Sequence, residues 1–184
     1  MLPAMSVVSQ IQSVLKPDVD RPGNFIRDAW DRMSKLPGGS RLFSKFVGNA
    51  APYTGSIGAH VVELREGYAK VTMRDRRAVR QHLACVHAIA LANLAELCGN
   101  IAVAYSLPDD ARFIVGGFEI EYLKKARGTI TAESRPPRIT SSEKAEYPVV
   151  VEMRNPAGEL VAKVTLRTVI GPKRASARTE QRAS

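Results

Sequence analysis

The order of elements predicts an α+β fold in which a curved antiparallel sheet wraps around one long central helix, with extra helices on the N-terminal side. Three observations predict it. Residues 86–105 are apolar nearly all round and broken only by His87, Asn93, Glu96 and Asn100, so a helix there must be covered on most of its faces. Two strand-like segments precede that run and four follow it. The strands come in runs rather than alternating with helices, which favours antiparallel pairing over a parallel α/β sheet.

The elements follow in order. Residues 6–15 place Val7, Val8, Ile11, Val14 and Leu15 at helical spacing, and residues 16–23, with Pro17 and Pro22, read as a connector. Asn24 suits the N-cap of a helix over Phe25–Leu36, because its short side chain can accept from a free first-turn N–H. Pro37-Gly38-Gly39 ends that helix, and Ser40 is the expected cap of a further one through Val47. After Ala51–Gly55 the period changes, and strands are predicted over Ile57–Leu64 and Tyr68–Met73 with a turn at Arg65-Glu66-Gly67. A basic loop, Arg74–Arg80, leads into the apolar helix, which Leu107-Pro108 terminates. Four strands remain, at Ala111–Lys124, Gly128–Arg135, Tyr147–Arg154 and Glu159–Val169. Gly116-Gly117 marks a bulge or bend in the first of these, and Asn155–Gly158 a tight turn between the last two. Such a sheet around one helix is the hotdog architecture. The chain divides into an N-terminal extension over 1–23, a hotdog domain over 24–171 and a basic tail over 172–184, whose composition predicts disorder.

Composition bounds the function. The 184 residues suit one domain with short extensions, and the 45% apolar fraction supports a real core. The formal charge is +9, of which the tail supplies +3. A basic surface attracts polyanions, including nucleotide phosphates, but also serves solubility. Cys85 and Cys98 are too far apart along a helix to bridge and read as reduced, buried thiols of a cytoplasmic protein. With three His and no Cys-x-x-Cys, no metal site is expected. No basic leader opens the chain and no uninterrupted apolar run reaches a membrane span, so neither a signal peptide nor a membrane helix is expected.

The informative feature is a lone carboxylate. At 3.6 residues per turn Asn93, Glu96 and Asn100 fall on one stripe of the apolar helix. An acid there is costly to ionise unless it is paired, hydrated or functional. The segment from His87 to Glu96, His-Ala-Ile-Ala-Leu-Ala-Asn-Leu-Ala-Glu, resembles the His-Gly-Gly-x-x-x-x-Leu-Ala-Glu signature of PaaI-like hotdog acyl-CoA thioesterases, with Gln81 six residues before the His. Over roughly residues 25–171 the chain more closely resembles the DUF4442 family of hotdog proteins, on Leu36-Pro37-Gly38-Gly39, Pro52-Tyr53-Thr54-Gly55 and the His82-to-Glu96 stretch.

The resemblance implies roles. Glu96 is implied as nucleophile or general base toward a thioester carbonyl, with Gln81 orienting water or substrate. The Ala88 N–H at the helix start is implied as an oxyanion donor, and His87 as part of that loop. In such folds the loop and the acid face each other across a dimer interface, which implies a homodimer or a dimer of dimers. The small-molecule partner implied is an acyl-CoA, with no cofactor beyond the CoA of the substrate. Asn93, Asn100, Ile89 and Tyr53 are candidates for lining the acyl site; Arg76, Arg77, Arg80, Arg135 and Arg138 for meeting CoA phosphates.

Departures and alternatives stand beside this. Ala88-Ile89 replace the Gly-Gly of the signature, and bulky Ile89 narrows an acyl entrance. Glu96 can equally be a structural acid tied to its polar neighbours; His87 can simply cap the helix; the Arg74–Arg80 cluster can be a solvated loop. The alternative function is a non-catalytic hotdog protein that binds acyl-CoA or a lipid. Nucleic-acid binding is disfavoured for want of a recognisable motif, and a hotdog dehydratase for want of a His-Phe-Pro loop.

Overall fold

The computed structural model describes residues 23–174. The helix expected at 6–15 and nearly all of the basic tail lie outside the described residues. Three helical segments come first: α1 (Phe25–Met33), α2 (Gly39–Ala50) and the single turn α3 (Pro52–Gly55). Strands β1 (His60–Arg65) and β2 (Tyr68–Met73), a 3-10 turn at Arg77–Val79, the central helix α4 (Ala88–Ser106) and strands β3 (Ala111–Tyr122), β4 (Ile130–Ser134), β5 (Ala145–Arg154) and β6 (Leu160–Pro172) complete it.

The strands form one six-stranded sheet in the order β1-β2-β4-β5-β6-β3, every neighbouring pair antiparallel. The sheet wraps α4, and the protein has the hotdog fold. Close approach is possible because α4 turns small residues to the sheet: Ala95, Cys98 and Ala102 are wholly buried, and a methyl group at Gly99 would run into the Leu166 side chain of β6. The Cys98 thiol lies between β2 and β4, 3.6 Å from the Ala69 carbonyl and 3.5 Å from that of Ala132. Burial pushes its pKa far up, with Glu133 adding to the effect, so it stays a protonated, inert thiol. By length and composition α4 is apolar enough to cross a membrane, but most of it is buried under the sheet as a core helix.

Asn24 caps α1 as expected, accepting from the Arg27 N–H at 3.0 Å. It also does something sequence does not disclose. Its amide donates to the Ala104 and Leu107 carbonyls at the end of α4, at 2.7 and 3.2 Å. One residue thus satisfies orphan groups of two helix ends. Ser40 is not the cap of α2; Gly38, at φ +74°, holds that place because the chain must turn through the left-handed region there. The Ser40 hydroxyl instead meets His60 Nε2 at 3.0 Å. The first strand starts at His60 rather than Ile57, since the turn of α3 and Gly58 occupy the intervening chain.

The two sheet edges differ. On β1 the register slips between Val61 and Glu63, and α2 lies beside the strand, with the Ser44 hydroxyl accepting from the Val61 N–H at 2.9 Å. On β3 the bulge falls at Val115/Gly117, as the glycine pair predicts, and among the described residues the strand pairs only with β6. Its outer side is left open over 12 residues, with Ile114, Phe118 and Tyr122 exposed.

Candidate functional site

The site begins at the start of α4. His87 is the N-cap, and its Nδ1 accepts from the Ile89 N–H at 3.1 Å. That bond fixes the capping reading of His87 and leaves the neutral ring's proton on Nε2. The Ala88 N–H has no acceptor among the described residues, and the end of a helix concentrates such donors with a positive dipole. On the other side of the same peptide unit, the Tyr122 hydroxyl of β3 donates to the Ala88 carbonyl at 3.1 Å.

The loop before α4 is a tight hairpin. Arg80 bridges Val86, the Gln81 N–H donates to the Cys85 carbonyl at 2.9 Å, and Ala84 sits at φ +53° to close the turn. The Gln81 amide donates to the Cys85 Sγ at 3.1 Å, so a buried cysteine orients the side chain expected to orient substrate. Asp75 anchors the hairpin from below, accepting from Arg80 Nε at 2.5 Å and from the Gly128 N–H at 2.9 Å. Its hydrogen bond to Arg80 outweighs burial and holds its carboxyl below the usual range.

Glu96 lies nine residues beyond His87, about 13 Å along the axis at 1.5 Å per residue. It is half-buried rather than enclosed, and its carboxylate has no partner among the described residues. The polar stripe is real but its members differ. Asn93 is 6% exposed and its amide donates to the Tyr53 carbonyl of α3 at 3.1 Å. Asn100 has a buried Oδ1 with no donor. Ile89 and Tyr53 are exposed, so it is the Tyr53 backbone rather than its ring that engages the helix.

The basic candidates separate. Arg80 is tied to Asp75, and Arg76 donates to the Ser56 carbonyl at 2.8 Å. Arg77 lies exposed in the 3-10 turn. Arg135 pairs with Glu133 and stacks at 4.9 Å on the Tyr68 ring, which Arg65 covers at 4.4 Å. Arg135 and exposed Arg138 follow Ser134, whose partner Ala69 adjoins the Gly67 turn held by Ser106. Within one chain these two therefore lie at the C-terminal end of α4, away from His87 and Gln81.

The profile of the family DUF4442, "Domain of unknown function (DUF4442)", matches residues 39–170. The chain belongs to the DUF4442 family. A structural-genomics crystal structure superimposes on this DUF4442 chain with a TM-score of 0.71 at 31% identity, covering 80% of this chain and 99% of the other. A Pseudomonas aeruginosa protein of unknown function, described as a probable thioesterase, gives 0.66 at 24%, covering 74% and 97%. A thioesterase from Haemophilus influenzae gives 0.60 at 16%, covering 68% and 86%. Among curated proteins none matches.

Three site residues of the DUF4442 chain escape sequence reasoning. Tyr122 reaches Ala88 across 34 residues, Asp75 holds the hairpin through a bond to Gly128 53 residues away, and Cys85 meets Gln81 only because the loop folds back on itself. The signal for Cys85 and Asp75 is their proximity to Gln81 and Arg80 in the chain; for Tyr122 there is none.

Proposed function

We propose that this protein hydrolyses an acyl-CoA thioester to free acid and CoA, at a site that two copies of the chain assemble. The observation that carries the reading is the pair of unengaged groups on α4: the Ala88 N–H at its start and the Glu96 carboxylate about 12 Å along it. One thioester carbonyl cannot meet both within a chain. The open edge of β3, beside Tyr122 and the helix start, supports pairing of two copies that brings Glu96 of one toward the hairpin of the other. The orphaned Asn100 oxygen, one turn beyond Glu96, supports a contact there too, since a buried acceptor without a donor costs roughly 1–3 kcal/mol.

In this reading Glu96 takes a proton from water, whose oxygen attacks the thioester carbon, and passes it to the departing thiolate; or it attacks that carbon itself, and a water then cleaves the anhydride, giving its hydroxyl to the acyl group and its other hydrogen to the thiolate and freeing Glu96. The Ala88 N–H stabilises the oxyanion that forms. The C–S bond then breaks, and the thiolate leaves with a proton. Gln81, held by Cys85, orients water or substrate, and His87 keeps the helix start open by capping Ile89 rather than Ala88.

The test is thiol release from short, medium, long and aromatic acyl-CoAs by wild type and Glu96→Ala, with the oligomer measured alongside. Turnover lost in a folded dimeric variant supports the reading. A second reading, a binding protein without turnover, is favoured by Ile89, which is 54% exposed at the helix start in place of a glycine. It is established by tight acyl-CoA binding with no thiol released in wild type.

A further inference from the structure

A groove of about 1210 Å³ runs between α2 and the β1–β2 edge and reaches α4 at Leu97, the residue next to Glu96. Its upper wall is α3, whose Tyr53 carbonyl Asn93 holds one turn before Glu96. Arg41, Lys45 and Arg74 line it, together with Ser44, Asn49 and His60, and its lining contains no Asp or Glu. Several basic side chains elsewhere are matched by acids: Arg65 by Glu63, Lys70 by Glu133, Arg80 by Asp75, Lys124 by Glu159, Arg154 by Glu152 and Arg167 by Glu146. Arg41, Lys45 and Arg74 have no such partner among the described residues. Arg41 and Lys45 stand four apart on one face of α2, where like charges repel. Arg74 also lines the adjoining concavity of about 580 Å³ that contains Arg127. Three unmatched cations around an acid-free groove favour a bound polyanion.

We infer that the α2–β1 groove binds the phosphates of a nucleotide-bearing thiol, with Arg41, Lys45 and Arg74 as their ligands and the thiol end directed past Leu97 toward Glu96. This moves the phosphate contacts away from Arg76, Arg80 and Arg135, which protein groups already engage. Ser44 and His60 are committed to Val61 and Ser40, so they shape the wall. The hydrolytic direction of the ligand rests on the thioesterase reading; the binding of the phosphates does not.

The test uses coenzyme A, adenosine 3′,5′-bisphosphate and pantetheine as probes in titration calorimetry. Wild type binds the first two, and the variant Arg41→Ala/Lys45→Ala/Arg74→Ala binds each at least tenfold more weakly, while Lys144→Ala and Arg154→Ala, outside the groove, leave both unchanged. Because all three side chains are exposed, the variant folds, which a melting curve checks. Arg74→Glu alone gives the same direction. If hydrolysis is present, the triple variant raises KM for acyl-CoA at least tenfold with kcat kept, and leaves acyl-pantetheine kinetics unchanged. Equal coenzyme A affinity in wild type and variant overturns the groove assignment, as does failure of wild type to bind either nucleotide. Groove-dependent binding with no turnover leaves the assignment standing and overturns hydrolysis alone; turnover indifferent to the groove does the reverse.

Discussion

The Asn93 amide donates to the Tyr53 carbonyl at 3.1 Å, joining the single turn of α3 to the central helix one turn before Glu96. Tyr53 has an exposed ring and a bound backbone, so this bond rather than side-chain packing seats α3. Asn93→Ala is expected to cost about 1–2 kcal/mol, read from denaturant unfolding. Thiol release should fall by more than the loss of folded protein accounts for, because α3 walls the groove next to Glu96.

Asn24 serves two helix ends at once. Asn24→Ala removes an N-cap and leaves the α4 carbonyls Ala104 and Leu107 with fewer donors, although Arg27 still reaches Leu107. A loss of about 1–3 kcal/mol is expected. Asn24→Ser keeps an N-cap oxygen and loses the amide donors, so it should fall between wild type and Ala in thermal unfolding.

Gly99 lies where α4 is pressed against Leu166, Val151 and Val149. Gly99→Ala gains helix propensity but forces Leu166 aside, and overpacking of that kind costs about 1–3 kcal/mol. A melting temperature below wild type is expected. Combined with Leu166→Ala it should lose less than the sum of the two single variants, the signature of a shared space.

Asp75 sets a pH dependence. Its hydrogen bond to Arg80, against the opposing effect of burial, holds its folded-state pKa below the model-peptide value of 3.8. The unfolded chain therefore takes up the proton first as pH falls. The stabilisation is fully present above the unfolded value and is lost as pH drops through the lowered folded value. Stability measured against pH for wild type and Asp75→Asn should run parallel at neutral pH and converge in strong acid.

Local pattern was enough for the architecture. The apolar run ending at Leu107-Pro108, the turns at Gly67 and Gly158 and the glycine pair in β3 are signals whose cause lies within a few residues, and each recurs in the structure. The helix cap at Asn24 was legible for the same reason, whereas its second grip on Ala104 depends on a contact 80 residues away. The polar stripe of α4 was legible as a direction. Its burial was not: Asn93 is buried, while Glu96 and Asn100 are only partly covered within one chain. Arginines close in sequence fared worst. Arg76 and Arg80 answer to Ser56 and Asp75, while Arg41 and Lys45, on a helix that reads as ordinary flank, meet Arg74 around one groove. Which charges remain unmatched depends on the partners the fold delivers, and these come from distant strands.

The unequal edges of the sheet limit how the protein can grow. A bulge and a covering helix spoil β1 as a template, while β3 offers a long unpaired rim. When two such rims meet, each consumes the other, and neither protomer has a second one to offer. Strand addition then halts at a pair, so the same backbone groups that invite association also prevent a fibril.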